Sequence, residues 1–195
     1  MRLYGSFNKN PSRFEGKDHP VDSVSWTDCQ KILKQINRAR PGLNLELPTE
    51  AQWEYACRAR QEVGSGQYAR YAFGNELDPS MANYGGGKKG TVPVKSFSPN
   101  DRGLYDMHGN VWEWCRDWYG EYESGDVVDP TGTVDGADRV LRGGSWIFTA
   151  EFCRSAVRNR YDPGSRFHFI GFRFSRGQAG GRGAGSGGGV PDMAG

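Results

Sequence analysis

From residue 25 onward the apolar side chains recur at helical spacing, with Cys29, Ile32, Leu33 and Ile36 on one face. Ser25 and Asp28 have the spacing of a capping box, which predicts a helix within residues 21–40, and the Ala-Arg-Pro-Gly run at 39–42 ends it. Thr49 and Gln52 repeat the box, and Trp53, Ala56 and Cys57 share a face, so a second helix is predicted from Pro48 and Thr49. Between about 61 and 100 the periodicity is lost. Polar residues and glycines, including Gly-Gly-Gly-Lys-Lys-Gly at 85–90, predict loops with one short strand near 91–97. Trp112 and Trp114 stand two apart in the aromatic cluster at 101–119, the spacing that places both on one face of a strand. Further short strands are predicted at 138–146, 152–158 and 168–175. Residues 177–195 are nearly half glycine and hold no aromatic residue. Such a segment cannot bury enough apolar surface to offset its chain entropy. The expected organisation is one folded domain, 1–176, and a disordered tail, 177–195.

Glycine and aromatic residues are both abundant, which favours a loop-rich α+β domain over a helical bundle. The net charge of +2, from 25 Lys and Arg against 23 Asp and Glu, predicts no strong attraction to nucleic acid or anionic membranes. No run of eighteen apolar residues is present, so no membrane insertion is expected. Cys29, Cys57, Cys115 and Cys153 have no zinc-module spacing and are expected as buried free thiols.

Five stretches carry a resemblance. NPSRFEGKDHPVDSVSW (10–26), LPTEAQWEYACR (47–58), GLYDMHGNVWEWCRDWY (103–119), RVLRGGSW (139–146) and IGFRF (170–174), in this order, resemble the formylglycine-generating-enzyme (sulfatase-modifying factor) family over roughly residues 8–175. The resemblance implies a C-type-lectin-type fold, irregular and loop-rich, with two helices and small twisted antiparallel sheets. Active members hold copper(I) on two cysteines in the pattern G-G-S-x-x-C-x-x-x-x-C, a soft thiolate pair. Here the stretch is GGSWIFTAEFC, residues 143–153: Cys153 falls on the second cysteine position, and Phe148 occupies the first. A phenyl ring neither binds copper nor exchanges a disulfide, so the expectation is that the chain is not an enzyme and requires no cofactor. Some members bind calcium beside the DMHGNVWE stretch. Carried over, Asp106 and Glu113 would supply carboxylates and Gly109 and Val111 backbone oxygens. The alternative is that Asp106 and Glu113 hold the loop by hydrogen bonds alone.

The stretch WIFTAEFCRSAVRNRYDPGSRFHFIGFR interleaves two kinds of position. Arg154, Ser155, Arg158, Pro163, Arg166 and Gly171 read as framework. Ile147, Phe148, Thr149, Phe152, Val157, Asn159, Tyr161, Asp162, Ser165, Phe167, His168 and Phe169 read as free. This pattern resembles the variable region of diversity-generating-retroelement target proteins, which lies on a C-type-lectin fold and ends in GFR. In that system template adenines are mutated, often in Asn codons, and each of the twelve free residues is reachable from such a codon. Glu151 is not, so it is fixed or comes from another codon. Aromatic rings give a large contact area at low entropy cost, which suits a binding surface. Phe148, Phe152, Tyr161, Phe167, His168 and Phe169 are therefore expected to be substantially exposed and grouped on one face.

The expected function is a non-catalytic ligand-binding display protein whose surface at about 146–170 is diversified by a retroelement and meets a protein or other surface ligand. The alternatives are a non-catalytic member of fixed specificity or structural role, and an enzyme with rewired chemistry.

Overall fold

In the computed structural model, residues 9–59, 62–63, 67–122 and 124–177 are described. The expected tail, from 178 on, lies outside the described residues. Two helices form where the caps predict them. α1, Trp26–Ala39, starts at Ser25, whose hydroxyl accepts the Asp28 amide at 3.1 Å while the Asp28 carboxylate accepts the Ser25 amide at 3.1 Å. α2, Glu50–Arg58, starts at Thr49 with the same reciprocal pair to Gln52.

Eight short strands accompany them: β1 Leu45–Glu46, β2 Glu62–Val63, β3 Gln67–Tyr68, β4 Trp112–Trp118, β5 Arg139–Arg142, β6 Arg158–Tyr161, β7 Ile170–Gly171 and β8 Ser175–Arg176. β6, β5, β4 and β7 form a four-stranded sheet in that order, antiparallel except for β4 and β7. β1 pairs with β8 and β2 with β3. This is the α+β architecture of a C-type-lectin-type fold.

β4 divides the core by its period of two. Trp112 and Trp114 turn to one side, with Val24, Cys29 and Leu33 around α1 and with Leu47, Leu141 and Ile170. Cys115 turns to the other side, with Trp53, Cys57, Met107 and Val140 near α2. All four cysteines are buried free thiols.

Four expected strands differ from what forms, and the one expected at 168–175 is split into β7, beside β4, and β8, beside β1. Residues 91–97 make no strand, because the Val92 amide is taken by the Asn110 side chain at 3.0 Å, Pro93 has no amide to give, and the Val94 amide goes to the Asp18 carbonyl at 2.7 Å. β5 stops at Arg142, where Gly143 and Gly144 take positive φ of 99° and 76°. A side chain at Gly144 would also strike the Cys153 sulfur, so only glycine fits there. Residues 150–153 form a 3-10 turn instead of a strand, and pairing resumes only at Arg158.

Candidate binding surface

The backbone of the stretch 146–169 is held from outside. Gly86 and Gly85 amides bond the carbonyls of Trp146 and Phe148 at 2.6 and 2.8 Å, and the Tyr71 hydroxyl bonds that of Ala150 at 2.9 Å. The Ser155 amide reaches the Arg70 carbonyl at 2.8 Å. Thr27, Ser23 and Trp112 amides bond the carbonyls of Pro163, Phe167 and Phe169 at 3.2, 3.1 and 2.8 Å. These bonds use main-chain atoms of the stretch, so its path does not depend on the side chains it displays.

None of the twelve free positions is buried. Ile147, Thr149, Phe152, Asp162 and Phe167 are exposed; Phe148, Val157, Asn159, Tyr161, Ser165, His168 and Phe169 are half-buried. Five rings join into one band. Phe152 meets Phe148 at 5.4 Å between centroids, Phe148 meets Phe169 at 5.6 Å, Phe169 stacks on Phe167 at 5.1 Å, and Phe167 meets Tyr161 at 4.9 Å. His168 lies edge-on to Phe169 at 5.4 Å. The expectation of six substantially exposed rings needs correction. Only Phe152 and Phe167, at 47% and 37% exposure, stand out. Phe148, Tyr161 and Phe169 lean on the core cluster around Trp112 and Trp114, since a ring laid along a small domain covers its inner face. Asp162 and Ser165 lie outside the band, in a turn closed by the Ser165 amide on the Asp162 carbonyl.

Two of the three framework arginines, Arg158 and Arg166, act chiefly through carboxylates. Arg166 forks onto Asp28 at 2.7 and 2.9 Å, tying the 162–166 turn to the start of α1. Burial alone would raise the Asp28 pKa, but the Arg166 and Ser25 donors hold it below the usual carboxylate value. Arg158 forks onto Glu50 at 2.7 and 2.8 Å and donates to the Gly120 carbonyl at 2.9 Å. The Arg154 side chain is exposed and donates to the nearby Glu151 carbonyl at 3.0 Å. Beneath them Arg142, fully buried, bonds Glu50, Glu54 and the Ser155 carbonyl.

The first position of the copper pair carries a ring. Phe148 puts its ring edge-on to Trp112 at 5.9 Å, and Cys153 is fully buried. Burial pushes the Cys153 and Cys57 thiols up to about 12, so neither is a thiolate at neutral pH. His108 lies beside both. Its Nε2 accepts the Ala72 amide at 2.9 Å, which leaves the proton on Nδ1, donated to the Cys153 carbonyl at 2.8 Å. Burial holds the His108 pKa down at about 4.

The two carboxylates carried over as calcium donors differ in their partners. Both Glu113 oxygens are taken by Arg173, and Oε2 also accepts the Trp53 indole N–H at 2.7 Å. Asp106 gives Oδ2 to the Lys95 amide at 2.8 Å, and its buried Oδ1 has no partner. The Arg173 guanidinium also bonds the Tyr105 carbonyl at 3.1 Å. Glu113 thus takes the loop-holding role that was the alternative.

Sequence reasoning missed Phe14, which packs edge-on against Trp146 at 5.5 Å and His168 at 6.1 Å and so borders the surface from a distant segment. It lies in the NPSRF stretch, where no periodicity marks it.

Residues 5–177 match the model of the sulfatase-modifying factor enzyme 1-like domain. The chain is 38% identical over 175 residues to a formylglycine-generating enzyme of Streptomyces coelicolor, covering 80% of this chain and 52% of that protein. It is 34% identical to the inactive C-alpha-formylglycine-generating enzyme 2 of Bos taurus, covering 84% of this chain and 52% of the relative. The chain thus spans about half the length of these curated relatives. Among solved structures, Treponema denticola variable protein 1 superposes with a TM-score of 0.74 at 29% identity, covering 88% of this chain and 79% of that one.

Proposed function

The chain belongs to the family of sulfatase-modifying factor enzyme 1-like domains, and on that premise we propose that it is a non-catalytic ligand-binding display module. Its ligand surface is the aromatic band and the free positions around it, from Ile147 to Phe169. The partner is a protein or another surface molecule, met by a shallow apolar face. The positions are varied by a retroelement, and the fold supplies the fixed frame.

The observation that carries this reading is the separation of roles along one stretch. None of the twelve free side chains is buried, although Phe148, Val157, Tyr161 and Phe169 pack against the core with one side, while the backbone between them is fixed by amides and hydroxyls of other segments. A core position feels a change of one methylene, so a surface that tolerates many sequences must be built this way. The likeness to a variable protein of Treponema denticola supports the same reading.

The identity to formylglycine-generating enzymes favours an oxidase. Against it stands Phe148 at the first copper-cysteine position, which leaves Cys153 as a single thiol there. The test of diversification is the locus itself. Sequencing around the gene is expected to find a reverse transcriptase and a near-copy of the coding stretch for residues 139–173 that differs at adenines. A locus with neither leaves a module of fixed specificity as the better account.

A further inference from the structure

The aromatic band continues past the twelve free positions. His168, edge-on to Phe169, also meets Trp146 at 5.6 Å and Phe14 at 6.1 Å, and Phe14 meets Trp146 at 5.5 Å. Main-chain bonds set this end of the surface. The buried Asp22 carboxylate accepts the Arg13 and Phe14 amides at 2.8 and 3.2 Å, and the amide of the next residue, Ser23, bonds the Phe167 carbonyl at 3.1 Å. One short segment thus positions both Phe14 and the middle of the band. The Phe14 ring rests on Gly90 so closely that a Cβ there would strike it. Gly90 ends the run 85–90, whose Gly85 and Gly86 amides hold the Phe148 and Trp146 carbonyls.

Cations border the same end. Lys88 and Lys89 are exposed in a turn where the Lys89 amide bonds the Gly86 carbonyl at 3.0 Å. The exposed Arg13 has its guanidinium 5.8 Å from the Phe14 ring centroid. No ion pair among the described residues includes any of the three. Residues 79–100 carry Lys88, Lys89 and Lys95 and no Asp or Glu, and residues 139–150 carry no acid. Of the acids close to Arg13 in the chain, Asp22 is buried with its oxygens on the two amides and the Ser23 hydroxyl, and Glu15 and Asp18 are exposed. Unpaired charge at the rim of an apolar face draws a partner of opposite sign and discriminates against one of like sign.

We propose, on the footing of the display function, that Phe14, Arg13, Lys88 and Lys89 form a constant rim that selects a protein segment bearing an apolar side chain flanked by carboxylates. The apolar side chain lies against Phe14 and His168. Arg13 can fork onto one carboxylate, and the two lysines act as point charges for another. The free positions then choose among acidic segments. A nucleic acid would also meet rings and cations, but the exposed Glu151 and Asp162 on the same stretch and the net charge of only +2 disfavour a phosphate backbone.

The test is selection of random displayed short peptides on the intact chain, followed by NMR titration with one selected peptide. Enrichment of Asp and Glu beside apolar residues is expected, with shifts at the Phe14, Lys88 and Lys89 amides. A double variant, Lys88→Glu with Lys89→Glu, changes exposed positions only. It should bind the selected peptide roughly fivefold or more weakly, and should enrich Lys and Arg instead. Peptides that show no acidic bias and bind both proteins equally, yet are lost in Phe167→Ser, would overturn the rim and leave the band standing. Recovery of no peptide would overturn both. An oligothymidylate that binds more tightly than the selected peptide, and is lost in the double variant, would overturn the rim in favour of a phosphate-bearing ligand.

Discussion

Phe167 and Phe169 stack face to face at the surface, with ring centroids 5.1 Å apart and planes 7° from parallel. They are next-but-one neighbours in the chain, and the rest of the band continues from them to Phe148 and Tyr161. Their unequal burial sets an expected order of cost. Phe152→Ser and Phe167→Ser should change stability by less than about 1 kcal/mol, as exposed substitutions do. Phe148→Ser and Phe169→Ser, whose rings lean on the core, should each cost roughly 1–3 kcal/mol. Urea denaturation of the four variants checks the order. A cost of several kcal/mol at Phe167 would make the band core.

Arg166 holds the 162–166 turn by its fork onto Asp28, and the side chain is half-exposed. Arg166→Ala is expected to lower global stability by no more than about 1 kcal/mol, since solvent screens the pair. Amide exchange over residues 162–169 should nevertheless quicken, because the turn loses its tie to α1. Unchanged exchange there would show that the Thr27 and Ser23 amides alone fix the turn.

Two buried groups give opposite pH dependences. His108 has its folded pKa lowered to about 4, from an ordinary value of 6.5. The stability it contributes is present above about 6.5 and is lost as the pH falls through about 4, because the unfolded chain takes up the proton first. Asp117 has its folded pKa raised from 3.8 to about 6. The stability it contributes is present below 3.8 and is lost as the pH rises through about 6. Asp117→Asn should therefore match the parent at pH 3.5 and exceed it by on the order of 1 kcal/mol at pH 8. Melting temperatures at the two pH values check this. A variant less stable at pH 8 would show that the ionised carboxylate is already satisfied.

Catalysis is tested with copper(I) and a peptide of the pattern CxPxR. The expected outcome is no formylglycine above background. Phe148→Cys is expected to raise copper(I) affinity, because it restores the second thiol opposite Cys153. Turnover by the unaltered chain would restore the oxidase reading.

The parts of the fold that were legible rest on local chemistry. Both helix starts follow from reciprocal bonds three residues apart, and the facing of Trp112 and Trp114 follows from the period of two in β4. The strand expected at 91–97 fails because Asn110, far along the chain, takes the Val92 amide, and no local pattern records that. None of the positions read as free in 146–170 is buried. How far each ring turns inward depends on Trp112 and Trp114 behind it, which sequence spacing does not encode. Arg173 at Glu113 was equally hidden, sixty residues apart in the chain and joined only by the pairing of β4 with β7.

The most direct measurement is a display library in which the twelve positions from Ile147 to Phe169 are randomised together, with a second library randomising Arg142, Ser155, Arg158, Arg166 and Gly171. Protease resistance reports folding, and selection against hen lysozyme, as an arbitrary protein probe, reports binding. The expected result is that most clones of the first library fold and yield lysozyme binders, while the second library mostly fails to fold. Collapse of the first library to the parental aromatic residues, with no binders recovered, would contradict the claim that this surface is a displayed binding site.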